Sequence, residues 1–119
     1  MNTIAHLNAA FGARQGRELF YQDSIITKDE QAIKLNIQHA IIIKRIESKN
    51  EILNLIKIAK EKNLEIAEFT REMLETTNDK KIIDITKEKN QKDIEYLGVL
   101  IFGKKSVVEE MTKEFELFK

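Results

Sequence analysis

The sequence predicts one α/β domain spanning residues 1–119, and three observations carry that expectation. Ala40-Ile41-Ile42-Ile43 and Tyr96-Leu97-Gly98-Val99-Leu100-Ile101-Phe102 are uninterrupted apolar runs with polar flanks, which suits strands buried on both faces. Segments with apolar residues at helical spacing lie around and between them, so strands and helices alternate and helices cover both sheet faces. A chain of 119 residues buries one core and not two.

The elements follow in order. Asn2 to about Ala13 reads as a small-residue helix with Ile4, Leu7, Ala10 and Phe11 on one face, loosened at its end by Gly12 and Gly16. Arg17 to Tyr21 adds a last turn, and Asp23 to Lys34 reads as a small hairpin or an irregular excursion. After the Ala40–Ile43 strand, Ser48-Lys49-Asn50-Glu51 forms a capping box that opens a helix with Ile52, Leu55, Ile56 and Ala59 inward. That helix stops near Asn63, a residue that tolerates the left-handed conformation. Leu64 to Phe69 makes the next strand, and the polar segment Thr70 to Thr76 follows it. Asn78 caps a helix over Asp79 to Lys87 that buries Ile82, Ile83 and Ile85. Gly103 ends the Tyr96–Phe102 strand, and a helix from Lys104 to about Glu114 turns Val107, Val108 and Met111 inward. Phe115-Glu116-Leu117-Phe118 is a helix end or a closing extended tail, and Phe11, Phe102, Phe115 and Phe118 read as core.

Composition excludes several classes of function. Twenty basic and twenty acidic residues cancel, so no overall field draws in nucleic acid or an anionic membrane, although a local basic patch stays open. The chain has no cysteine, which removes disulfides, thiolate metal sites and thiol catalysis. No apolar run is long enough to span a bilayer and no signal-peptide pattern is present, so the cytoplasm is the expected location. His6 and His39 lack a second ligand at metal-binding spacing, and the four glycines form no phosphate loop, so neither a metal nor a cofactor is expected. No serine sits in a nucleophile elbow.

Two groups of polar residues stand out. Arg14 and Arg17 with Lys28, or Lys104 and Lys105 at a helix start, are placed to contact phosphates, yet such charges are commonly solvated surface. Lys104 and Lys105 also oppose the helix dipole. Arg71-Glu72 with Glu75 and Thr76 follows a buried strand, where open α/β sheets commonly put their sites; the plainer reading is a solvated loop with an Arg–Glu pair. Arg14 and Arg71 are the candidate ligand contacts.

These landmarks together resemble a bacterial family of uncharacterised proteins that share the type 2 peptidyl-tRNA hydrolase fold. The matching pieces are Asn2 to Leu7 through Phe11 to Arg14, Ala40 to Lys44, Ala67 to Met73, Glu95 to Gly103, and Val107 to Thr112 continuing into Phe115 to Phe118. The resemblance implies a three-layer domain whose mixed sheet of about four strands has helices on both faces, and frequently a homodimer. Members of the fold carry a strand before the first helix, and that first strand has no counterpart in this sequence; an N-terminally shortened form of a longer parent is one reading. The hydrolases' lysine falls at Met1, and their catalytic aspartate and threonine fall near Glu72 and Thr76. Ester hydrolysis needs a cation to steady the oxyanion, which Met1 supplies only as a terminal amine. The expectation is a non-catalytic binding or oligomeric module, toward RNA or a nucleotide-like ligand. The alternative is an esterase acting on peptidyl-tRNA or a related aminoacyl ester through Glu72 and Thr76, which leaves catalysis open.

Overall fold

The computed structural model describes residues 2–118. Helix α1 (Asn2–Gln15) runs two residues beyond its expected end and passes into a 3₁₀ turn, Gly16–Leu19, where Gly16 takes φ 62°. Strands β1 (Ser24–Ile26) and β2 (Ala32–Lys34) form an antiparallel hairpin, which resolves the Asp23–Lys34 ambiguity. The Thr27 hydroxyl organises its turn, donating to Asp29 Oδ1 at 2.6 Å and accepting from the Gln31 N–H at 2.9 Å. At its base Asp23 takes Lys34 at 2.6 Å and Arg17 at 3.2 Å. Chiefly the Lys34 bond lowers the Asp23 carboxyl to about 2.

Helix α2 (Lys49–Glu61) has the amphipathic face its sequence predicts, with Ile52, Leu55, Ile56 and Ala59 buried. Ser48 caps it by accepting from the Glu51 N–H at 3.5 Å, a long bond and only one half of the expected box. Asn63 ends it at φ 55°, as its amide side chain allows. Strand β3 (Glu65–Thr70) then pairs antiparallel with β4 (Tyr96–Phe102), Ala67 facing Leu100 and Phe69 facing Gly98. Helix α1 lies on the face that carries these residues, and Leu7, Ala67 and Phe69 make a small core with Leu97 and Leu100 packed on it. Gly98 is what lets α1 approach: a Cβ there would stand 2.6 Å from Thr3 Cγ2 and 3.1 Å from Leu7 Cδ1. Phe11 meets Phe102 further along, with ring centroids 5.0 Å apart, so α1 runs in the same direction as β4. Helix α2 packs on the same two strands.

The remaining elements are short. Helix α3 (Arg71–Glu75) occupies the segment expected to be a loop, and helix α4 (Asp79–Thr86) follows with Asn78 as its cap. Helix α5 (Lys105–Thr112) begins and ends slightly inside its expected bounds, and Lys105 sits 3.8 Å from Glu109 one turn on. Glu116–Phe118 closes the described chain as a tail alongside Ile43–Arg45. Phe118 N–H donates to the Ile43 carbonyl and Arg45 N–H to the Glu116 carbonyl, both at 2.9 Å, so 43–45 and 116–118 run antiparallel.

Four expectations need correction. The described residues form two two-stranded antiparallel sheets rather than one mixed sheet of about four strands. The Ala40–Lys44 run forms no strand and joins neither sheet, Lys44 alone making an isolated bridge to Leu117, and Ile41 and Ile42 are 56% and 64% exposed rather than buried. A β-branched run states that a strand is favoured; it cannot state that neighbours exist to cover it. Ile83 and Ile85 of α4 are exposed because that helix packs chiefly on α3, off the main sheet. Phe118 is half exposed rather than core, lying beneath the Arg45 guanidinium at 6.0 Å.

Candidate functional site

The end of β3 builds a compact polar cluster. Thr70, buried at the last position of the strand, caps α3 through its hydroxyl, which accepts from the Met73 N–H at 3.4 Å. That turn sends two consecutive side chains in different directions. Arg71 reaches Glu95, just before β4, with a two-pronged contact of 2.8 and 3.1 Å, and its own N–H donates to the Glu95 carbonyl at 3.0 Å. The guanidinium holds the Glu95 carboxyl below its ordinary range. Arg71 is thus bound across the strand pair rather than to its sequence neighbours Glu72 and Glu75.

Glu72 turns inward and is 5% exposed. One carboxylate oxygen, Oε1, accepts from Lys89 Nζ at 2.5 Å, while Oε2 is buried with no hydrogen-bond partner among the described residues. The Lys89 ammonium holds this carboxyl below its usual range, against burial, which pushes the other way; Lys89 is raised in return. Glu72 is therefore an anion at neutral pH, with a cation already on it. A buried carboxylate of this kind ties down the segment that carries its partner, here the turn between α4 and β4.

Thr76 lies one turn beyond, where its N–H donates to the Glu72 carbonyl at 3.3 Å. Its hydroxyl accepts from the Asn78 N–H at 3.1 Å and so shapes the entry to α4. Thus Glu72 and Thr76 come close through the backbone, each side chain bound to a different structural partner. Arg14 is exposed in the last turn of α1, outside this cluster. Lys89 and Glu95 were missed from the sequence because 17 and 24 residues separate them from their partners Glu72 and Arg71, and no local spacing signals such pairs.

A second feature lies beside β4. A groove of about 690 Å³ lies between β4 and the Ala40–Lys44 run, with Thr3, Ile4, Leu7 and Phe11 of α1 along it. Strand β4 is paired only with β3, so its other edge faces this groove without a backbone partner among the described residues. On the opposite wall Ile43 and Arg45 turn their backbone groups outward to the tail, which turns those of Lys44, between them, toward the groove. The open edge of β4 and the backbone of Lys44 thus face the groove from its two sides. The small face of α1 (Ala5, Ala9, Ala13) is exposed elsewhere and does not line it.

The histidines are occupied by aromatic contacts. His6 stacks on Phe69 with centroids 5.0 Å apart and His39 meets Phe102 edge-on at 5.2 Å. Among the described residues no group of three or more possible metal ligands comes together, and no helix is long and apolar enough to cross a membrane.

A solved structure of a protein of unknown function from Agrobacterium tumefaciens superposes with a TM-score of 0.79 at 14% identity, over 99% of this chain and 85% of that one. At that identity the likeness concerns the fold alone. No curated protein matches. The model of one protein family, described as protein of unknown function (DUF2000), matches residues 1–119, the whole chain. The two-stranded core under α1, the groove beside it and the Arg71–Glu95 and Glu72–Lys89 pairs are therefore features of a chain that belongs to the DUF2000 family.

Proposed function

We propose that this chain is a non-catalytic binding and oligomeric module, built on the three-layer α/β plan its sequence resembles, with the groove beside β4 as its binding site. The observation that carries this reading is the edge of β4, which has no backbone partner among the described residues and faces the groove. An open strand edge of this kind is a template for an added strand, and an extended polypeptide is the ligand that pairs with it. The charges along the groove balance, Lys44 and Lys49 against Glu47 and Glu95, which suits a polypeptide better than RNA or a nucleotide-like ligand. A cytoplasmic setting accords with the cysteine-free composition.

The alternative, an esterase working through Glu72 and Thr76, draws on one observation: a buried carboxylate oxygen without a partner beside a lysine. Against it, a general base must be free to take a proton, and the Lys89 ammonium keeps the Glu72 carboxylate a weak one. The Thr76 hydroxyl serves the Asn78 N–H. Release of tRNA from a model peptidyl-tRNA tests the reading. The purified protein is expected to show none; turnover that disappears in Glu72→Gln or Thr76→Val would establish the esterase instead.

A further inference from the structure

The β1–β2 hairpin stands apart from the core. It packs substantially on no other helix or strand, and its Ile25, Ile26 and Ile33 are 43%, 66% and 50% exposed. A two-stranded hairpin is marginal in water, and three or more strands are the usual stable unit. Each of its strands has one free backbone edge, and the ladder shows which groups lie on it. Leu35 N–H donates to the Asp23 carbonyl at 3.0 Å and Thr27 N–H to the Gln31 carbonyl at 2.9 Å. Hydrogen-bonded pairs alternate along an antiparallel ladder, so Ile25 and Ile33 bond each other, while Ser24, Ile26, Ala32 and Lys34 turn their backbone groups outward.

The two edges are not alike. On β1 the Ser24 carbonyl already accepts from Gln22 Nε2 at 2.7 Å, and Ser24 is half-buried. On β2 Ala32, Ile33 and Lys34 are all exposed, and the backbone groups of Ala32 and Lys34 have no partner among the described residues. A lysine on an edge strand ordinarily discourages pairing. Lys34 is instead drawn onto Asp23 at 2.6 Å, at the base of the hairpin.

We infer that β2 pairs edge to edge with β2 of a second copy of this chain, antiparallel about Ile33. One register satisfies the edge. With Ile33 opposite Ile33, Ala32 of each copy faces Lys34 of the other, and every outward N–H meets an outward carbonyl. Centring the pair on Lys34 would set two lysines face to face. Centring it on Ala32 would set Lys34 against Glu30, which sits in the turn at φ 67°. About Ile33 the apolar side chains form one row, Ile25 and Ile33 followed by Ile33 and Ile25 of the second copy, and the hairpins join as one sheet in the order β1-β2-β2-β1. Charge agrees with the antiparallel sense. The hairpin tip carries Lys28 with Asp29 and Glu30, net negative, and the base carries Arg17 and Lys34 with Asp23, net positive, so each tip lies beside the other copy's base. The contact uses the same edge of both copies and therefore closes as a two-fold dimer. It leaves the groove and the β4 edge untouched, and it gives the oligomeric part of the reading proposed above an interface.

The absence of cysteine makes the test direct, since any thiol introduced is the only one. At the two-fold axis Ile33 and its counterpart form a pair that is not hydrogen-bonded, with Cα atoms about 4.5 Å apart, inside the range that a disulfide spans. Ile33→Cys should therefore cross-link under mild oxidation at least about tenfold faster than Ile26→Cys, although Ile26 is the more exposed of the two. One strand pair is a small interface, so light scattering behind size exclusion is taken up to about 200 µM. The protein should pass in that range to twice its 13.9 kDa chain mass. Ala32→Pro removes an outward N–H at an edge position that tolerates proline, and Ile33→Lys sets like charges at the axis; each should move the transition at least about tenfold higher in concentration. A single-chain mass throughout would overturn the inference, as would a transition that either variant leaves in place, or cross-linking at Ile33 no faster than at Ile26. Hydrolysis of peptidyl-tRNA would remove the non-catalytic reading without altering the chain mass, so the two fail separately.

Discussion

Gly98→Ala probes the seat of α1 on the sheet, and the structure sets the size of its effect. The new methyl would lie 2.6 Å from Thr3 Cγ2, a separation that real side chains do not tolerate, and 3.1 Å from Leu7 Cδ1. Thr3 is β-branched on a helix and has little rotamer freedom with which to yield, so α1 must lift or tilt. Overpacking of this kind costs about 1–3 kcal/mol, while replacing glycine stiffens the unfolded chain and returns about 0.4–1 kcal/mol. The net expectation is a loss of about 1–2 kcal/mol. Thr3→Ser removes the obstructing methyl, itself worth less than about 0.8 kcal/mol at a half-buried position. In the double variant the alanine methyl takes the vacated space, so its stability should return to within about 1 kcal/mol of the starting protein. Urea unfolding followed by circular dichroism measures all four corners of the cycle. If Gly98→Ala costs nothing, or costs the same with and without Thr3→Ser, then α1 does not sit where Thr3 meets Gly98. The groove would then lack one of its walls.

Three further outcomes follow from individual residues. Ile56, completely buried under the sheet, should cost about 2–4 kcal/mol as Ile56→Ala in the same denaturation assay. Asn63→Val should cost about 1–2 kcal/mol because φ 55° is left-handed, whereas Asn63→Gly should be neutral or mildly stabilising; thermal melts distinguish the two. The hydrogen bond from the Lys89 ammonium holds the Glu72 carboxyl below its ordinary range in the folded state, so its contribution to stability is complete above that ordinary range and is lost as pH falls through the lower, folded value. Melting temperature should accordingly hold steady down to about pH 5 and then fall, and Glu72→Gln should flatten part of that acid limb while leaving the neutral region level.

The legible parts of this fold are those whose causes are local. The Tyr96–Phe102 strand, the Ser48 cap and the Asn63 stop each follow from a few adjacent residues, and each stands where its sequence puts it. The Ile41–Ile43 run shows the limit: its residues favour a strand, but none forms there, because whether a strand forms and is buried depends on what lies beside it. Ile83 and Ile85 fail in the same way, since an apolar stripe on α4 does not guarantee a surface to meet it. In the polar cluster, Arg71 and Glu72 were found by their place after a strand, yet their partners were not. Glu95 and Lys89 arrive through the folding of the intervening α3–α4 segment, which only tertiary structure brings back to β3.

Residue-resolved amide hydrogen exchange along β4 and Ile42–Lys44, measured across protein concentration, addresses the open β4 edge most directly. In an antiparallel pair alternate residues turn their N–H groups toward the partner, so half of the β4 amides bond β3 and the other half face the groove. At submicromolar concentration the β3-facing set should be protected and the groove-facing set, with Lys44, should exchange rapidly. As concentration rises the rapid set should slow together, as the oligomer of the proposed module covers the β4 edge. Uniform protection along β4 at every concentration would mean that the edge is already covered within one chain, and would contradict the account.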